Sequence, residues 1–322
     1  MRLTIVGDPH FKNDNLDLQR KLFDKIESLA NPVVILGDLL HSKEIIRGNS
    51  LNELVGLLRK SKLPFFILVG NHDLFNLNSK EHSLEALKLI PNVRIFDSSS
   101  MIEVDGQKLH FIPYIHSIEA FRAELDKVKT PKESILFLHA AVNDFDYGNG
   151  FMEKHGINIE ELSKFKLVIS GHFHKYAKKE NLTYLGTPFS HDFGESDQKK
   201  YIGILSTKSL KMKLINTELP EHVTFVVEEE KDLEKLKQID YKNFNRIILA
   251  GYADELSRID LGEYLEKKVI VIERYKPRTN QEIKPLNFED CLSSFETWAK
   301  EVKKLDSDFI ESGLEILKCL KQ

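Results

Sequence analysis

Five short motifs mix aspartate, asparagine and histidine, and each stands where an apolar run stops. They are Asp8-Pro9-His10, Gly37-Asp38-Leu39-Leu40-His41, Gly70-Asn71-His72-Asp73, His139 after Ser134-Ile135-Leu136-Phe137-Leu138, and Gly171-His172-Phe173-His174. Runs such as Pro64-Phe65-Phe66-Ile67-Leu68-Val69 read as buried strands. In an open α/β sheet, ligands collect beyond the carboxyl ends of the strands, so motifs distant in sequence are expected to meet there. Asp8, His10, Asp38, Asn71, His139, His172 and His174 together offer two carboxylates, one amide and four imidazoles. That nitrogen and oxygen set suits two divalent cations acting on phosphate esters. Singly, Asp8-Pro9-His10 or Gly37-Asp38 reads more readily as a plain turn than as a site. The Gly171-His172-Phe173-His174 motif is more specific, because residues two apart on an extended segment point to the same side. Packing alone does not call for four histidines at strand ends.

The elements that must position these residues follow from periodicity. Residues 2–7 and 33–36 are expected strands, joined by a helix over 15–30; a second helix over 50–61, with Ser50 as N-cap, leads to a strand over 64–69. A helix at about 81–90 and a strand at about 93–97 come next, and Asp105-Gly106 marks a hairpin where pairing turns antiparallel. Beyond it, the sequence predicts helices over 116–129 and 157–164 and strands ending at Leu138 and Ser170. Strand-like segments at 182–186, 200–206 and 209–216, with few helices between them, suggest a second sheet packed on the first. The expectation is an α/β fold: a two-sheet β-sandwich flanked by helices, then a small α/β cap and a C-terminal helical segment. The expected domains are 1–219 (catalytic), 220–276 (α/β cap) and 277–322 (a linker to about 285, then helix).

The 322 residues are 41% hydrophobic and 30% charged, with a net charge of −4. This is ordinary globular composition and lacks the basic signature of a small nucleic-acid-binding module. Residues 221–322 carry 17 Lys+Arg against 22 Asp+Glu, which leaves 29 against 28 for residues 1–220. Any nucleic acid must therefore be drawn by a local patch, by bound cations or by a partner. Two cysteines, Cys291 and Cys319, have no ligand-spaced neighbours, so disulfide and zinc-thiolate readings are weak. No stretch reaches the length of a membrane span and residues 2–6 do not read as a removable signal, so a cytoplasmic protein that binds no membrane is expected.

In order and spacing, the five motifs resemble the calcineurin-like metallophosphoesterase superfamily across most of residues 1–205. Within it, Gly37-Asp38-Leu39-Leu40-His41-Ser42, Tyr184-Leu185-Gly186-Thr187-Pro188, Phe193-Gly194-Glu195 and Lys200-Tyr201-Ile202-Gly203 are similar to the SbcD nuclease family, and the modest length to its phage recombination-endonuclease versions. The resemblance implies that Asp8, His10 and His174 hold one metal, that Asn71, His139 and His172 hold the other, and that Asp38 bridges them. It implies His72 as catalytic general acid or transition-state stabiliser, with His41 as its orienting partner. Asp73 is expected to buttress the loop. The two cations are expected to be manganese, with magnesium, zinc and iron as the other candidates.

The function that follows is a two-metal DNA exonuclease and endonuclease subunit for recombination and double-strand-break repair. Its implied partners are single-stranded DNA and double-stranded ends, a second copy of the chain, and a coiled-coil SMC-like ATPase in a heterotetramer docked on the C-terminal helices. The rival readings are a nucleotide or small-molecule phosphodiesterase or phosphatase of the same superfamily, and a non-catalytic metal-binding scaffold. His82, His110, His116, His155 and His222 carry no motif, while His191 lies in a segment that could approach the site.

Overall fold

In the computed structural model, the described residues are 1–275, apart from 44, 78–79, 147–149, 197, 253–255 and 257, and, toward the C-terminus, 292, 294–296, 298–302 and 307–319. The expected linker lies outside them. The chain divides into two compact units, one of Met1–Ala250 with Ile259–Arg274 and the other of Gly251–Arg258 with Tyr275–Gln322.

The first unit is built on two six-stranded sheets. One holds β1 (Arg2–Val6), β2 (Val33–Ile35), β3 (Phe65–Leu68), β4 (Val93–Phe96), β11 (Tyr201–Ser206) and β12 (Met212–Asn216), in the order β12-β11-β1-β2-β3-β4. Its centre is parallel, with β1 against β2, β2 against β3 and β3 against β4. Helices α1 (Leu16–Leu29) and α2 (Gly48–Lys60) supply the crossovers. The second sheet holds β5 (Ser100–Val104), β6 (Gln107–Ile112), β7 (Ser134–His139), β8 (Leu167–Gly171), β9 (Ala177–Lys179) and β10 (Leu182–Tyr184), in the order β5-β6-β7-β8-β10-β9. Helix α3 (Ile118–Asp126) crosses from β6 to β7, and its N-cap Ser117 accepts from the N–H of Ala120.

The burial pattern explains the layers. Alternate residues of one strand serve different cores: Leu3, Ile5, Val34, Leu36, Ile135 and Phe137 fill the space between the sheets, whereas Val6, Val33, Ile35 and Ile67 meet α1 and α2. Leu136 and Leu138 meet the helix α3 side. Strands buried on both faces read as near-continuous apolar runs, which is why the sequence marks them clearly.

Some expectations change. Segments 200–206 and 209–216 do not add to the second sheet; β11 returns antiparallel beside β1 and closes that edge of the first. An antiparallel return needs no crossover helix, so a lack of helices carries no information about which sheet a strand joins. The helices expected at 81–90 and 157–164 are single 3₁₀ turns, Glu85–Leu89 and Ile159–Leu162. Helix α2 starts at Gly48 with Arg47 as its N-cap residue, so Ser50 lies inside the first turn. Strands β13 (His222–Val227), β14 (Phe244–Gly251) and β15 (Ile270–Tyr275) form a third sheet in that order, with β13 and β14 parallel. Between them stand a 3₁₀ stretch, Glu230–Gln238, and a short helix α4 (Gly262–Glu266). In the second unit, a π-helical turn at Trp298–Val302 precedes helix α5 (Ser307–Cys319).

Phe111 is the test of the central layer, because it is fully buried and stacks on Phe96 at 3.9 Å and on Phe137 at 5.1 Å. Phe111→Ala should destabilise the protein by about 3–5 kcal/mol in urea unfolding. A loss below about 1 kcal/mol would mean that the layer refills the space.

Candidate metal centre

The parallel ends of both sheets deliver the five motifs to one place. Asp8 and His10 follow β1, Asp38 follows β2, Asn71 and His72 follow β3, His139 ends β7, and His172 and His174 follow β8. Three glycines make the approach possible. A Cβ on Gly70 would fall 2.2 Å from the Asp38 main-chain N and from its Oδ1; one on Gly37 would lie 2.4 Å from His139 Nδ1, and one on Gly171 2.4 Å from Asp8 Oδ1. Each is a clash that hydrogen alone avoids. His10, Asp38 and His172 have φ of 47°, 46° and 96°, an uncommon region for residues with a Cβ.

Both carboxylates are braced by main-chain N–H groups of the opposite motifs. Asp38 Oδ1 accepts from the N–H of His72 at 2.7 Å, and Asp8 Oδ2 accepts from the N–H of His172 at 2.8 Å. Asp8 Oδ1 is buried with no hydrogen-bond partner. Burial first, and then the Asp38 charge, push the Asp8 carboxyl well above its ordinary range. Asp38 Oδ2 lies 3.5 Å from His139 Nε2 and 3.8 Å from His10 Nε2.

Two of the imidazoles are held in chosen tautomers. His139 Nδ1 donates to the Leu36 carbonyl at 2.8 Å; since a carbonyl only accepts, the proton is on Nδ1 and the Nε2 lone pair faces Asn71 Oδ1 and Asp38. His174 Nδ1 donates to Glu195 Oε1 at 2.7 Å, leaving its Nε2 against His10 Nε2 at 3.1 Å. Asn71 Oδ1 stands 3.0 Å from both His139 Nε2 and His172 Nδ1. Burial pushes His172 down to about 3, and burial with the facing histidines pushes His10 well below its ordinary value. Neutral imidazoles with the far nitrogen anchored by a carbonyl or carboxylate are what metal ligation requires.

The groups Asp8, His10, His174 and Asp8, Asp38, His139 each converge closely enough to hold one ion. The orphaned Asp8 oxygen, the glycine-lined approach and the fixed lone pairs all fit a pair of divalent cations. A third group, His82, Glu85 and Asp97, does not, because Lys88 Nζ already lies 2.7 Å from both carboxylates.

All seven expected ligands thus stand in one cluster, with His72 and His41 beside it. His72 Nδ1 donates to the main-chain carbonyl of His41 at 2.8 Å, while the two rings stack at 6.0 Å. The atom that holds His72 Nδ1 belongs to the His41 backbone rather than to its imidazole. Asp73 accepts from the N–H groups of Leu39, Leu40 and Gly70 and clamps the loop.

A family model for calcineurin-like phosphoesterases matches residues 1–176, which hold every one of these residues. The chain belongs to that family. Such phosphoesterases are metal-dependent hydrolases. This one is 28% identical over 302 residues to a protein of invertebrate iridescent virus 3 named as a phosphoesterase, covering 85% of this chain and 84% of the viral one. It is 25% identical over 290 residues to exonuclease subunit 1 of enterobacteria phage T4, covering 87% and 83%. A protein of Coxiella burnetii named as a cyclic nucleotide phosphodiesterase is 22% identical over 209 residues, covering 59% and 81%.

Four residues packed against this cluster carry no role in the sequence reading. His191 packs 5.0 Å from the His10 ring and its Nε2 lies 3.3 Å from the Asp8 carbonyl. Glu195 also accepts from Lys200 Nζ at 2.6 Å and Thr187 Oγ1 at 3.0 Å. Although burial raises its carboxyl, the His174 hydrogen bond and the buried Lys200 ammonium hold it well below the usual carboxylate range. Glu195 and Lys200 sit inside the motifs that carry the family resemblance, so a signal existed without a role attached. Tyr114, whose ring stacks 6.1 Å from His172, had none.

Glu195→Gln keeps the shape but replaces the acceptor of the His174 proton. Divalent-cation affinity, measured by calorimetric titration with manganese, should fall roughly 10–100-fold. Unchanged affinity would show that His174 needs no anchor.

Proposed function

We propose that this chain is a two-metal DNA nuclease, the exonuclease and endonuclease subunit of a recombination and repair complex. What most supports the reading is the reach of the similarity to the phage exonuclease subunit: 87% of the chain, well past residue 176, against 59% for the cyclic nucleotide phosphodiesterase. A single-nucleotide substrate gives no reason for a third sheet and a helical tail; a polymer and a partner do.

In this reading Asp8, His10 and His174 hold one cation, Asn71, His139 and His172 the other, and Asp38 lies between them. Bound there, two divalent cations, proposed to be manganese, would supply a water nucleophile at neutral pH and neutralise charge on the phosphoryl oxygens. The protein's own work is positional and protonic. The Leu36 carbonyl and Glu195 keep two imidazoles aimed inward, and the N–H groups of His72 and His172 fix the carboxylates. With its Nδ1 proton committed to the His41 carbonyl, His72 has Nε2 to hold or deliver a proton at the leaving oxygen. His41 is assigned as orienting partner through that carbonyl. The nuclease acts on single-stranded DNA and duplex ends, as a homodimer joined to a coiled-coil ATPase.

The deciding experiment compares linear duplex, single-stranded DNA, a cyclic nucleotide and bis(p-nitrophenyl) phosphate in manganese. DNA should be cleaved with a kcat/KM at least tenfold above that for the cyclic nucleotide; the reverse order favours the small-molecule reading. His72→Gln should retain both cations and lower turnover roughly 10²–10⁴-fold. Loss of cations with it would make His72 a ligand. Deleting residues 286–322 should abolish binding to the ATPase while single-stranded DNA cleavage stays measurable. Unchanged binding would confine the tail to a structural role.

A further inference from the structure

His139 and His174 are aimed by hydrogen bonds at their far nitrogens, to the Leu36 carbonyl and to Glu195. His10 has no such anchor. Its Nδ1 is buried without a hydrogen-bond partner, while its Nε2 lies 3.1 Å from His174 Nε2 and 3.8 Å from Asp38 Oδ2. A metal-ligating imidazole ordinarily takes its direction from what the second nitrogen bonds to. The rings of His41, His72, His174 and His191 stand edge-on to His10, with centroids between 4.9 and 5.5 Å away. They bound the His10 ring but give Nδ1 no partner, so its direction has to come from the main chain.

The main chain at His10 is left-handed, with φ 47°, a conformation that a residue with a Cβ keeps only where its surroundings over-determine it. Here they do. The His10 N–H donates to the Asp38 carbonyl at 3.0 Å, and Pro9 has no N–H to place. The carbonyls of both residues are taken by buried side-chain amides: Asn15 Nδ2 donates to that of His10 at 2.9 Å, and Gln19 Nε2 to that of Pro9 at 2.6 Å. Asn15 Oδ1 in turn accepts from the Lys12 N–H at 3.1 Å and from Gln19 Nε2 at 3.5 Å, so the two amides act as one clamp. Asn15 is 4% exposed and Gln19 fully buried. They stand one turn apart at the head of α1, on the side that Leu22, Phe23 and Ile26 continue as core. Apolar residues would suit that face; they would leave the carbonyls of the turn buried without donors.

We infer that Asn15 and Gln19 are positioning residues for the cation site of Asp8, His10 and His174: by holding the carbonyls of His10 and Pro9 they set the left-handed turn, and the turn aims His10 Nε2. The inference rests on the two-cation assignment proposed above and supplies the means by which an imidazole without a ring anchor is oriented. Its effect falls on one half of the centre. Asn71, His139 and His172, assigned to the other cation, follow β3, β7 and β8 and take their order from one another and from Leu36.

The test follows manganese binding to the full chain by calorimetric titration and by electron paramagnetic resonance. The variants are Gln19→Met, which keeps the volume and removes the donor to Pro9, Asn15→Leu, and Ile26→Val as a packing control on the same helix. The wild type should bind two cations whose spins couple. In Gln19→Met and Asn15→Leu one binding step should weaken about 10–100-fold while the other holds, and the coupled spectrum should give way to that of an isolated manganese. Hydrolysis of bis(p-nitrophenyl) phosphate should fall at limiting manganese and recover at saturating manganese. Ile26→Val, at a fully buried position, should lower the melting temperature and leave both binding steps in place, which separates positioning from helix stability. Should Asn15→Leu fail to fold, Gln19→Met decides. If Gln19→Met binds both cations as the wild type does, weakens both steps equally or does not fold, the positioning role is wrong and the two-cation assignment stands. If the wild type binds fewer than two cations, both fall.

Discussion

Two buried carboxylates, Asp8 and Asp38, are set at the ends of adjacent parallel strands where water scarcely reaches either. Burial at low dielectric, and after it the like charge on Asp38, push the Asp8 carboxyl upward. Main-chain N–H groups relieve one oxygen of each and leave the others without a donor of comparable strength. Much of the surrounding structure follows from keeping that pair together. The glycines at 37, 70 and 171 open the approach, and Asp73 clamps the loop that carries Asn71 and His72. Divalent cations held there would convert the repulsion into attraction.

Around the carboxylates, two imidazoles are specified by what holds their far nitrogens. His139 is tied to the main-chain carbonyl of Leu36, the residue after β2 of the first sheet, so the two sheets are joined through this side chain. His174 is tied to Glu195, which stands on Lys200 and Thr187, and Lys200 in turn reaches the His174 carbonyl at 3.2 Å. This buried polar network carries the geometry of the metal centre into β11 and so back to the edge of β1. A chain of satisfied groups of this kind rigidifies a site more effectively than separate contacts, since loss of one member leaves another buried without its partner.

The third sheet meets the same network from the other end. Ser190 Oγ accepts from the N–H of His222 at 2.8 Å, and the Arg246 guanidinium lies 4.5 Å over the Phe193 ring. The loop bearing His191 and Glu195 is thus pinned between the metal centre and β13. Changes in that sheet have a physical route to the orientation of His174 without touching substrate.

What the sequence determined was a set of polar residues that meet in one place and the strands that deliver them. Asp8, His10, Asp38, Asn71, His72, His139, His172 and His174 were legible because apolar runs buried on both faces leave an unmistakable pattern, and polar residues at their ends have no packing reason to be histidines. The tertiary structure alone decided the rest. Which sheet receives β11 and β12 depends on edges meeting in space, and short 3₁₀ turns replaced expected helices because local apolar spacing is the same for both. Glu195 and Lys200 gained their role only when β11 returned beside β1, and the His72 anchor proved to be a carbonyl, an atom that every residue possesses and no sequence pattern can mark.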